Sequence, residues 1–486
     1  MRIVKPNKLP EYLWEAAGKD KISASNPFKY IGFDRDMARL GWVKPPPWEL
    51  IEKTLNGINR LICNKNEFIF IGMGGSINGI KAVISLKKTT NIHCIDSLDP
   101  QALVETIVKI KNINRLFVIP ISKSGTTKET QLIAHTIRNF VSNFVGTKRV
   151  KRHFLWLVDK NSVSRWKALG WQGFLHLPIQ FDERTDIGGR FTSPHTLIFF
   201  LPLFLIENRN LKKLKKQYSL YLKLLQSVTN HAFKDAFKYK NLRKGFFSIR
   251  VPSASLDSLK TWITQLFQES LGSKKRNFFV KTIVTDKIFR NRNFVSLRLG
   301  IKITDPLIKM MCLMYYLENF VAYYAYFKKI NFVNQPSVEK YKKKMKTLVS
   351  ETPKEMPETD LKGLIKKIKS RLKPQHKFIE AVLYLYPSRD FMKKIEKELK
   401  KAFPLKEIFV FVGSDWNHHS YQAAYKDKYT FYILVTRKNY FTNLPYFKQS
   451  QLAENVRMLK IISYATYLTI KRNSLLVSLK DTSSAF

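Results

Sequence analysis

Short apolar runs alternate with longer amphipathic stretches along most of this chain. The apolar runs have the length of buried strands, and the stretches between them carry apolar residues at helical spacing. Such alternation predicts βαβ units built around largely parallel sheets. The runs expected to form strands are 67–75, 93–98, 115–122, 153–159, 174–179, 245–252, 277–286, 293–300, 378–387, 407–413, 429–437 and 474–480.

The strand runs fall into three series, and a length of 486 residues favours more than one domain. We predict an N-terminal arm at 1–50 and a first α/β domain at 51–225. A second domain is expected to combine 226–349 with 378–486, the latter including a C-terminal α/β extension. The segment 350–377 contains prolines and many charges, so we predict a connector with a short helix there.

Composition narrows the class of protein. Hydrophobic residues make up 44% of the chain and charged residues 25%, which excludes a disordered tail protein. Three cysteines without close metal-ligand spacing favour a reducing compartment. The chain starts without an apolar leader, and its longest apolar stretches are either too short to span a membrane or interrupted by Glu318. We therefore expect a cytoplasmic protein with no membrane partner.

The charge is strongly unbalanced. There are 85 Lys and Arg residues against 37 Asp and Glu residues, for a formal net charge of +48. Such a surface attracts polyanions and draws in phosphorylated ligands. The basic residues recur along the whole chain, whereas nucleic-acid-binding proteins concentrate them and interleave aromatic residues. We interpret most of them as solvated faces of amphipathic helices, and expect nucleic acid only as a non-specific electrostatic partner.

The most informative segment is IPISKSGTTKETQLIAHTI, at 119–137. An apolar strand leads into a loop with one glycine, and an amphipathic helix follows at once. The free N–H groups and positive dipole end of such a helix bind anions, and the glycine lets the backbone approach the ligand. An ordinary helix N-cap needs one hydroxyl group, whereas here five occur within nine residues. This loop therefore predicts a site for a phosphomonoester.

The run ISKSGTTKET resembles the sugar-phosphate-binding signature of SIS domains, in particular that of the glucose-6-phosphate isomerase family. Four further elements resemble this family in the same order: FIFIGMGGSINGIKA at 68–82, DIGGRFTSPHTLIFFLPLFL at 186–205, WITQLFQESLGSKK at 262–275 and INFVNQPSVEKYKKKM at 330–345. The C-terminal part more faintly resembles the tail of the short bacterial isomerases. The resemblance implies two SIS-like, flavodoxin-like, doubly wound and mainly parallel sheets with helices on both faces. It also implies a homodimer.

The resemblance further implies the reversible interconversion of D-glucose 6-phosphate and D-fructose 6-phosphate, a step of glycolysis and gluconeogenesis. Ring opening would precede proton transfer through a cis-enediolate, with no cofactor and no metal. Glu269 would be the base, Arg190 would lie beside the enediolate, and Lys342 with Gln335 would assist ring opening. The other residues that match the family's substrate-binding positions are Gly75, Ser76, Ser122, Lys123, Ser124, Thr127, Thr130 and Gly189.

The chain also departs from the family pattern. Many members carry a D-x-H histidine that opens the ring, and the corresponding region, 280–293, contains no histidine. We expect DWNHHSYQ, at 415–422, to supply the imidazole, with His419 preferred over His418 because His419-Ser420 aligns with the HS of the short-form tail. Both histidines could instead be surface loop residues. A non-catalytic sugar-phosphate sensor, a polyanion-binding protein and a mannose 6-phosphate activity remain open alternatives.

Overall fold

The computed structural model of the chain describes residues 8–34, 37–87, 89–251, 256–273, 278–287, 294–349, 356–441 and 444–480. The strands are β1 Phe33–Asp34, β2 Met37–Ala38, β3 Glu67–Ile71, β4 Ile92–Ile95, β5 Leu116–Pro120, β6 Leu155–Leu157, β7 Leu175–Leu177, β8 Gly245–Arg250, β9 Val280–Thr285, β10 Val295–Leu297, β11 Glu358–Thr359, β12 Phe378–Leu383, β13 Glu407–Val412, β14 Thr430–Thr436 and β15 Ser474–Leu479. The helices are α1 Leu9–Ala16, α2 Trp48–Leu61, α3 Asn78–Ile84, α4 Pro100–Ile107, α5 Lys128–Val145, α6 Val163–Trp166, α7 Leu197–Ile206, α8 Leu211–Lys238, α9 Leu256–Leu271, α10 Pro306–Lys328, α11 Val338–Leu348, α12 Leu361–Lys369, α13 Arg389–Ala402, α14 Gly413–His419, α15 Tyr421–Ala424 and α16 Gln449–Ile470.

The first sheet is parallel, and its central strands are buried along their whole length. β3 pairs with both β4 and β5, and single bridges from Val118 to Phe154 and from Ile121 to Leu157 continue the sheet to β6 and β7. The strand order is therefore β4-β3-β5-β6-β7, the doubly wound order in which ligands bind beyond the carboxyl ends of the two central strands. The glycine turn after β3 and the hydroxyl-rich loop after β5 lie at these two ends.

Four strands of the C-terminal sheet repeat the order β4-β3-β5-β6, and its fifth strand, β11, precedes them in the chain. Its strands are parallel and run β13-β12-β14-β15-β11, so that β12 lies between β13 and β14. Between the two sheets in sequence, β8, β9 and β10 form a smaller parallel sheet with β8 in the centre. The predicted α/β class, with two doubly wound and mainly parallel sheets, is confirmed; the antiparallel pair β1–β2 is a short addition.

The predicted domain limits stay a prediction, but two elements bear on where a boundary can lie. Helix α8 runs without interruption through position 225. Within the predicted connector, 358–359 form β11 at the edge of the C-terminal sheet and 361–369 form the expected short helix. Residues 350–355 of that connector lie outside the described residues, as do residues 288–293 of the segment that contains no histidine.

Two long apolar stretches of the sequence are core helices. Every residue of α7 is buried, and α10 is buried over Met310–Ala325, where it packs along α8. Both helices belong to one apolar cluster that also holds α3 and α9. Among the described residues, no helix combines the length and the apolarity that crossing a membrane requires.

One carboxyl group in this core is expected to make stability depend on pH. Glu318 lies on α10 with no exposed surface, and neither of its oxygens has a hydrogen-bond partner among the described residues. Burial raises the pKa of Glu318 well above 4.5, so the folded state keeps this group protonated. The unfolded state releases the proton at lower pH. The contribution of Glu318 to the free energy of unfolding is therefore fully present below the unfolded pKa and is lost as the pH rises towards the folded pKa.

Above the unfolded pKa, keeping Glu318 protonated in the folded state costs free energy of folding. Replacing Glu318 by Met removes this cost and places a long, flexible, apolar side chain in the core. We expect the Glu318→Met protein to gain free energy of unfolding relative to the wild type, by about 1.4 kcal/mol per pH unit, above the unfolded pKa. Urea titrations at pH 4.5, 5.5 and 6.5 measure this difference. A difference that does not change with pH would contradict the assignment of a buried, protonated Glu318.

Candidate active site

A cleft of about 480 Å³ opens at the carboxyl ends of β3 and β5. Its walls also include residues from α9, from α11 and from α14, which bring the later part of the chain onto the first sheet. The residues expected from the sequence that line this cleft are Gly75, Ser76, Lys123, Ser124, Thr127, Gly189, Arg190, Glu269, Gln335 and Lys342. The structure thus gathers residues spread over nearly 270 positions, from Gly75 to Lys342, into one site.

The hydroxyl-rich loop at 121–127, which we term the phosphate loop, forms one end of the cleft. It joins β5 to the 18-residue helix α5, whose first N–H groups follow directly after Thr127. Gly125 has a φ of +67°, and a Cβ there would lie 2.7 Å from the Cβ of Trp166, so only glycine suits this turn. Arg165 also lines this end and adds a cation that the sequence did not indicate. Hydroxyls, a helix N-terminus and cations together suit a phosphoryl group.

Two predicted phosphate ligands do not reach the cleft, which corrects the sequence assignment. The Ser122 side chain is buried, and its Oγ lies 2.9 Å from Oγ1 of Thr127. Thr130 has no exposed surface and lies in the first turn of α5. Both side chains are enclosed by the protein because the loop turns tightly into the helix. Ser122 instead holds Thr127 in place at the cleft.

Lys123 ties the phosphate loop to the segment that precedes Arg190. Its Nζ donates to the carbonyl oxygen of Ile187 and lies 3.7 Å from Oδ2 of Asp159. Burial lowers the pKa of Lys123 to about 8, although Asp159 opposes the shift. This amine is therefore held at the rim of the cleft by fixed contacts and remains mostly protonated at neutral pH.

The two glycine turns of the site touch backbone to backbone. A Cβ at Gly75 would lie 2.0 Å from the carbonyl oxygen of Gly189, so no side chain fits there. The Thr192 hydroxyl donates to the carbonyl oxygen of Gly75 at 3.0 Å. On the other side, the N–H of Gly74 donates to Oδ1 of Asp415 at 3.0 Å, which attaches α14 to the same turn. This close packing sets the width of the cleft.

Glu269 and Arg190 form the centre of the site. Nη1 of Arg190 lies 3.5 Å from Oε1 of Glu269, and Nε of Arg190 donates to the Ser270 hydroxyl at 2.7 Å. The amide of Gln265 donates to Oε2 of Glu269 at 2.8 Å. Both charged side chains are more than nine-tenths buried. Burial raises the pKa of Glu269 above 4.5 even though Arg190 and Gln265 favour its charged form.

His418, and not His419, lines the cleft, which corrects the preference drawn from the sequence. Nε2 of His418 lies 2.9 Å from Oε1 of Glu129, and its carbonyl oxygen accepts from Gln265 at 3.0 Å. Burial alone would lower the pKa of His418, but the Glu129 carboxylate outweighs it and raises that pKa. His419 is buried against Phe411, and its Nδ1 lies 2.6 Å from the Ser420 hydroxyl.

Helix α11 brings Lys342 to the cleft, from a run of four lysines within 340–344. Lys342 and Gln335 line the cleft, whereas Lys340 and Lys343 are exposed elsewhere on α11. Lys342 interacts electrostatically with both Glu129 and Glu269. The positive charge of Lys342 on α11 therefore acts on the carboxylates of both Glu129 and Glu269.

Residues 51–192 match the family described as phosphoglucose isomerase, and this region contains both glycine turns, the phosphate loop and Arg190. Over these residues the chain is similar to the phosphoglucose isomerases. It is 27% identical over 292 residues to the glucose-6-phosphate isomerase of Mycoplasmopsis pulmonis, which covers 56% of this chain and 64% of that one. The enzyme of Mycoplasma capricolum is 26% identical over 266 residues, covering 50% and 59%.

The chain thus spans less than two thirds of the length of these curated relatives. A solved structure of similar fold is that of the hypothetical protein TT0462 from Thermus thermophilus, with a TM-score of 0.52 and 17% identity. The match covers 71% of this chain and 94% of that one. This likeness concerns the fold of the chain.

Residues that the sequence did not indicate also belong to the site, among them Glu129, Gln265 and Arg165. Glu129 stands inside the run SKSGTTKET and Gln265 inside QLFQES, so both were within motifs already singled out. Glu129 comes two residues after Thr127 of the loop, and Gln265 comes four residues before Glu269, which is about one helical turn. These spacings were the signal available in the sequence. Arg165 lies outside every motif of the phosphoglucose isomerase resemblance, and only the packing of α6 beside the loop brings it to the cleft.

Proposed function

We propose that this phosphoglucose isomerase relative interconverts D-glucose 6-phosphate and D-fructose 6-phosphate. The observation that carries the proposal is that the phosphate loop and Glu269 line one cleft of the same chain. A sugar held by its phosphoryl group at Ser124 and Thr127 extends its other end into the cleft, where Glu269, Arg190 and His418 lie. The rest of the chemistry follows from what those three groups can do.

Glu269 acts as the base. As a carboxylate it takes the proton from C2 of the open-chain aldose and returns it to C1, while the carbonyl group moves from C1 to C2. Negative charge develops on the oxygens at C1 and C2 in between, and the fixed guanidinium of Arg190 stabilises it. The raised pKa of Glu269 makes the carboxylate a stronger base than an exposed glutamate.

His418 opens the sugar ring. Its imidazolium, maintained by Glu129, donates a proton to the ring oxygen as the bond from that oxygen to C1 breaks, and the C1 hydroxyl group releases its proton to solvent as it becomes the carbonyl group. Lys342 and Gln335 line the same part of the cleft and can hold the sugar hydroxyls. All of these groups come from one chain, so the reaction needs no histidine from a second subunit. We still expect a homodimer in the cytoplasm, and light scattering tests the oligomeric state.

Separate replacements of the two neighbouring histidines test this assignment. His418→Ala is expected to lower turnover of glucose 6-phosphate about 100-fold, because a general acid typically contributes a rate factor of this size. The same protein should turn over a tetrose 4-phosphate at nearly the wild-type rate, because that substrate has no hydroxyl group that could close a ring. His419→Ala should keep both activities, apart from any loss of thermal stability. Equal losses on both substrates in His418→Ala would contradict the role in ring opening.

A coupled isomerase assay on the purified protein tests the function itself. Conversion of fructose 6-phosphate into glucose 6-phosphate is expected, and mannose 6-phosphate in the same assay tests the narrower alternative. Binding of the sugar phosphate without turnover would overturn the proposal in favour of a sensor. Such a sensor needs the phosphate loop but not the buried pair of Arg190 and Glu269.

A further inference from the structure

A second cavity, of about 220 Å³, lies in the C-terminal sheet and shares no residue with the cleft. It opens beyond Thr436 at the end of β14 and beside Ser478 near the end of β15, and α16 covers one side with Lys460. These are the carboxyl ends of parallel strands, where doubly wound sheets bind their ligands. The cavity lies beside β14, β15 and β11, next to the β12–β14 pair that corresponds to β3 and β5 of the first sheet.

The lining of this cavity is cationic and rich in hydroxyl groups. Arg437, Lys438 and Lys460 contribute positive charge, and Glu358 is the one carboxylate among the described residues that line it. Arg437 is 3% exposed, and its Nη2 lies 2.7 Å from Oδ1 of the buried Asp99. Neither Lys438 nor Lys460 forms an ion pair with a described residue. The two lysines leave the cavity with positive charge in excess.

A buried hydroxyl group in this cavity lacks a partner. Ser478 is 3% exposed, and its Oγ makes no hydrogen bond to any described residue. An unpaired buried hydroxyl group costs about 1–3 kcal/mol, so a ligand that accepts or donates a hydrogen bond there is favoured. The Ser463 hydroxyl, by comparison, already donates to the carbonyl oxygen of Lys460 at 2.8 Å.

We propose that this cavity binds a small phosphomonoester at a site separate from the cleft. Lys438 and Lys460 neutralise the phosphoryl charge, the guanidinium of Arg437 is held in place by Asp99, and the Ser478 hydroxyl donates to a phosphoryl oxygen. The volume equals that of about seven water molecules, which leaves room for a short carbon chain beside the phosphoryl group. The proposal does not depend on the isomerase activity.

Calorimetric titration with glycerol 3-phosphate in 0.15 M NaCl tests the proposal. The starting protein carries Ser124→Ala and Thr127→Val, which disable the phosphate loop of the cleft. One bound glycerol 3-phosphate per chain is expected, and inorganic phosphate should bind at least threefold more weakly. Adding Lys460→Gln, or separately Ser478→Ala, is expected to weaken binding at least tenfold. No binding to the starting protein, or tighter binding of inorganic phosphate, would overturn the proposal.

Lys471→Gln is the matched control. This exposed lysine follows α16 directly and lies outside the cavity, so its replacement removes one charge without touching the site. Binding should stay within twofold of the starting protein. If Lys471→Gln and Lys460→Gln weakened glycerol 3-phosphate binding equally, the overall positive charge would attract the ligand. That result would contradict a specific binding site in the cavity. Isomerase turnover in an otherwise wild-type Lys460→Gln protein should also stay within twofold.

Discussion

Glu269→Gln is expected to lower kcat for glucose 6-phosphate about 1,000-fold while sugar-phosphate binding changes less than threefold. Gln keeps the size of the side chain and can still interact with Gln265, but it cannot accept the proton from C2. The phosphate loop, which we propose holds the phosphoryl group, is untouched. A coupled assay measures kcat, and exchange of a C2 deuterium with solvent, followed by NMR, reports the proton transfer itself.

Glu49→Gln serves as the control, because Glu49 is an exposed glutamate on α2 outside the cleft. It should retain wild-type kcat. A Glu269→Gln protein with more than a tenth of wild-type kcat would remove Glu269 as the base. The pH profile gives a second check: because burial raises the pKa of Glu269, kcat/KM should begin to fall with decreasing pH while still above 4.5.

Lys281→Met is expected to cost about 3–5 kcal/mol of unfolding free energy. Lys281 on β9 and Glu380 on β12 form an ion pair in which neither side chain is more than 3% exposed. Trp416 donates its indole N–H to the other oxygen of Glu380, and the Tyr432 hydroxyl lies 3.4 Å from Lys281. Removing the lysine leaves a charged carboxylate buried without its partner. Urea titration of the variant against the wild type measures the loss.

The double variant Lys281→Met/Glu380→Gln should recover most of this loss, since Gln is neutral and its amide oxygen can still accept from Trp416. Lys400→Met is the matched control. Lys400 pairs with Glu396 at 2.6 Å on the exposed surface of α13, where such a pair contributes less than about 0.5 kcal/mol. If Lys281→Met cost no more unfolding free energy than Lys400→Met, the buried pair would not stabilise the contact between the sheet that contains β9 and the C-terminal sheet that contains β12.

Much of the fold could be predicted from the alternation of apolar and amphipathic segments. The apolar runs at 67–75, 115–122 and 378–387 contain β3, β5 and β12, because a fully buried parallel strand reads as a continuous apolar run. The phosphate loop could also be predicted from the sequence, since its hydroxyl residues and its glycine are adjacent in the chain. The short edge strand β11 was not predicted, because two residues carry no periodic pattern.

The sequence by itself indicated residues that line the cleft, namely Ser124, Thr127, Arg190 and Glu269, since each lies in a local motif. Only the tertiary structure decided between His418 and His419, because neighbouring positions of a helix point about 100° apart and packing selects the side that reaches the cleft. It likewise turned Ser122 and Thr130 inward and brought Glu129 to His418 across 289 positions. Contacts between residues so distant in sequence depend on how the helices and sheets pack, and no local pattern encodes that packing.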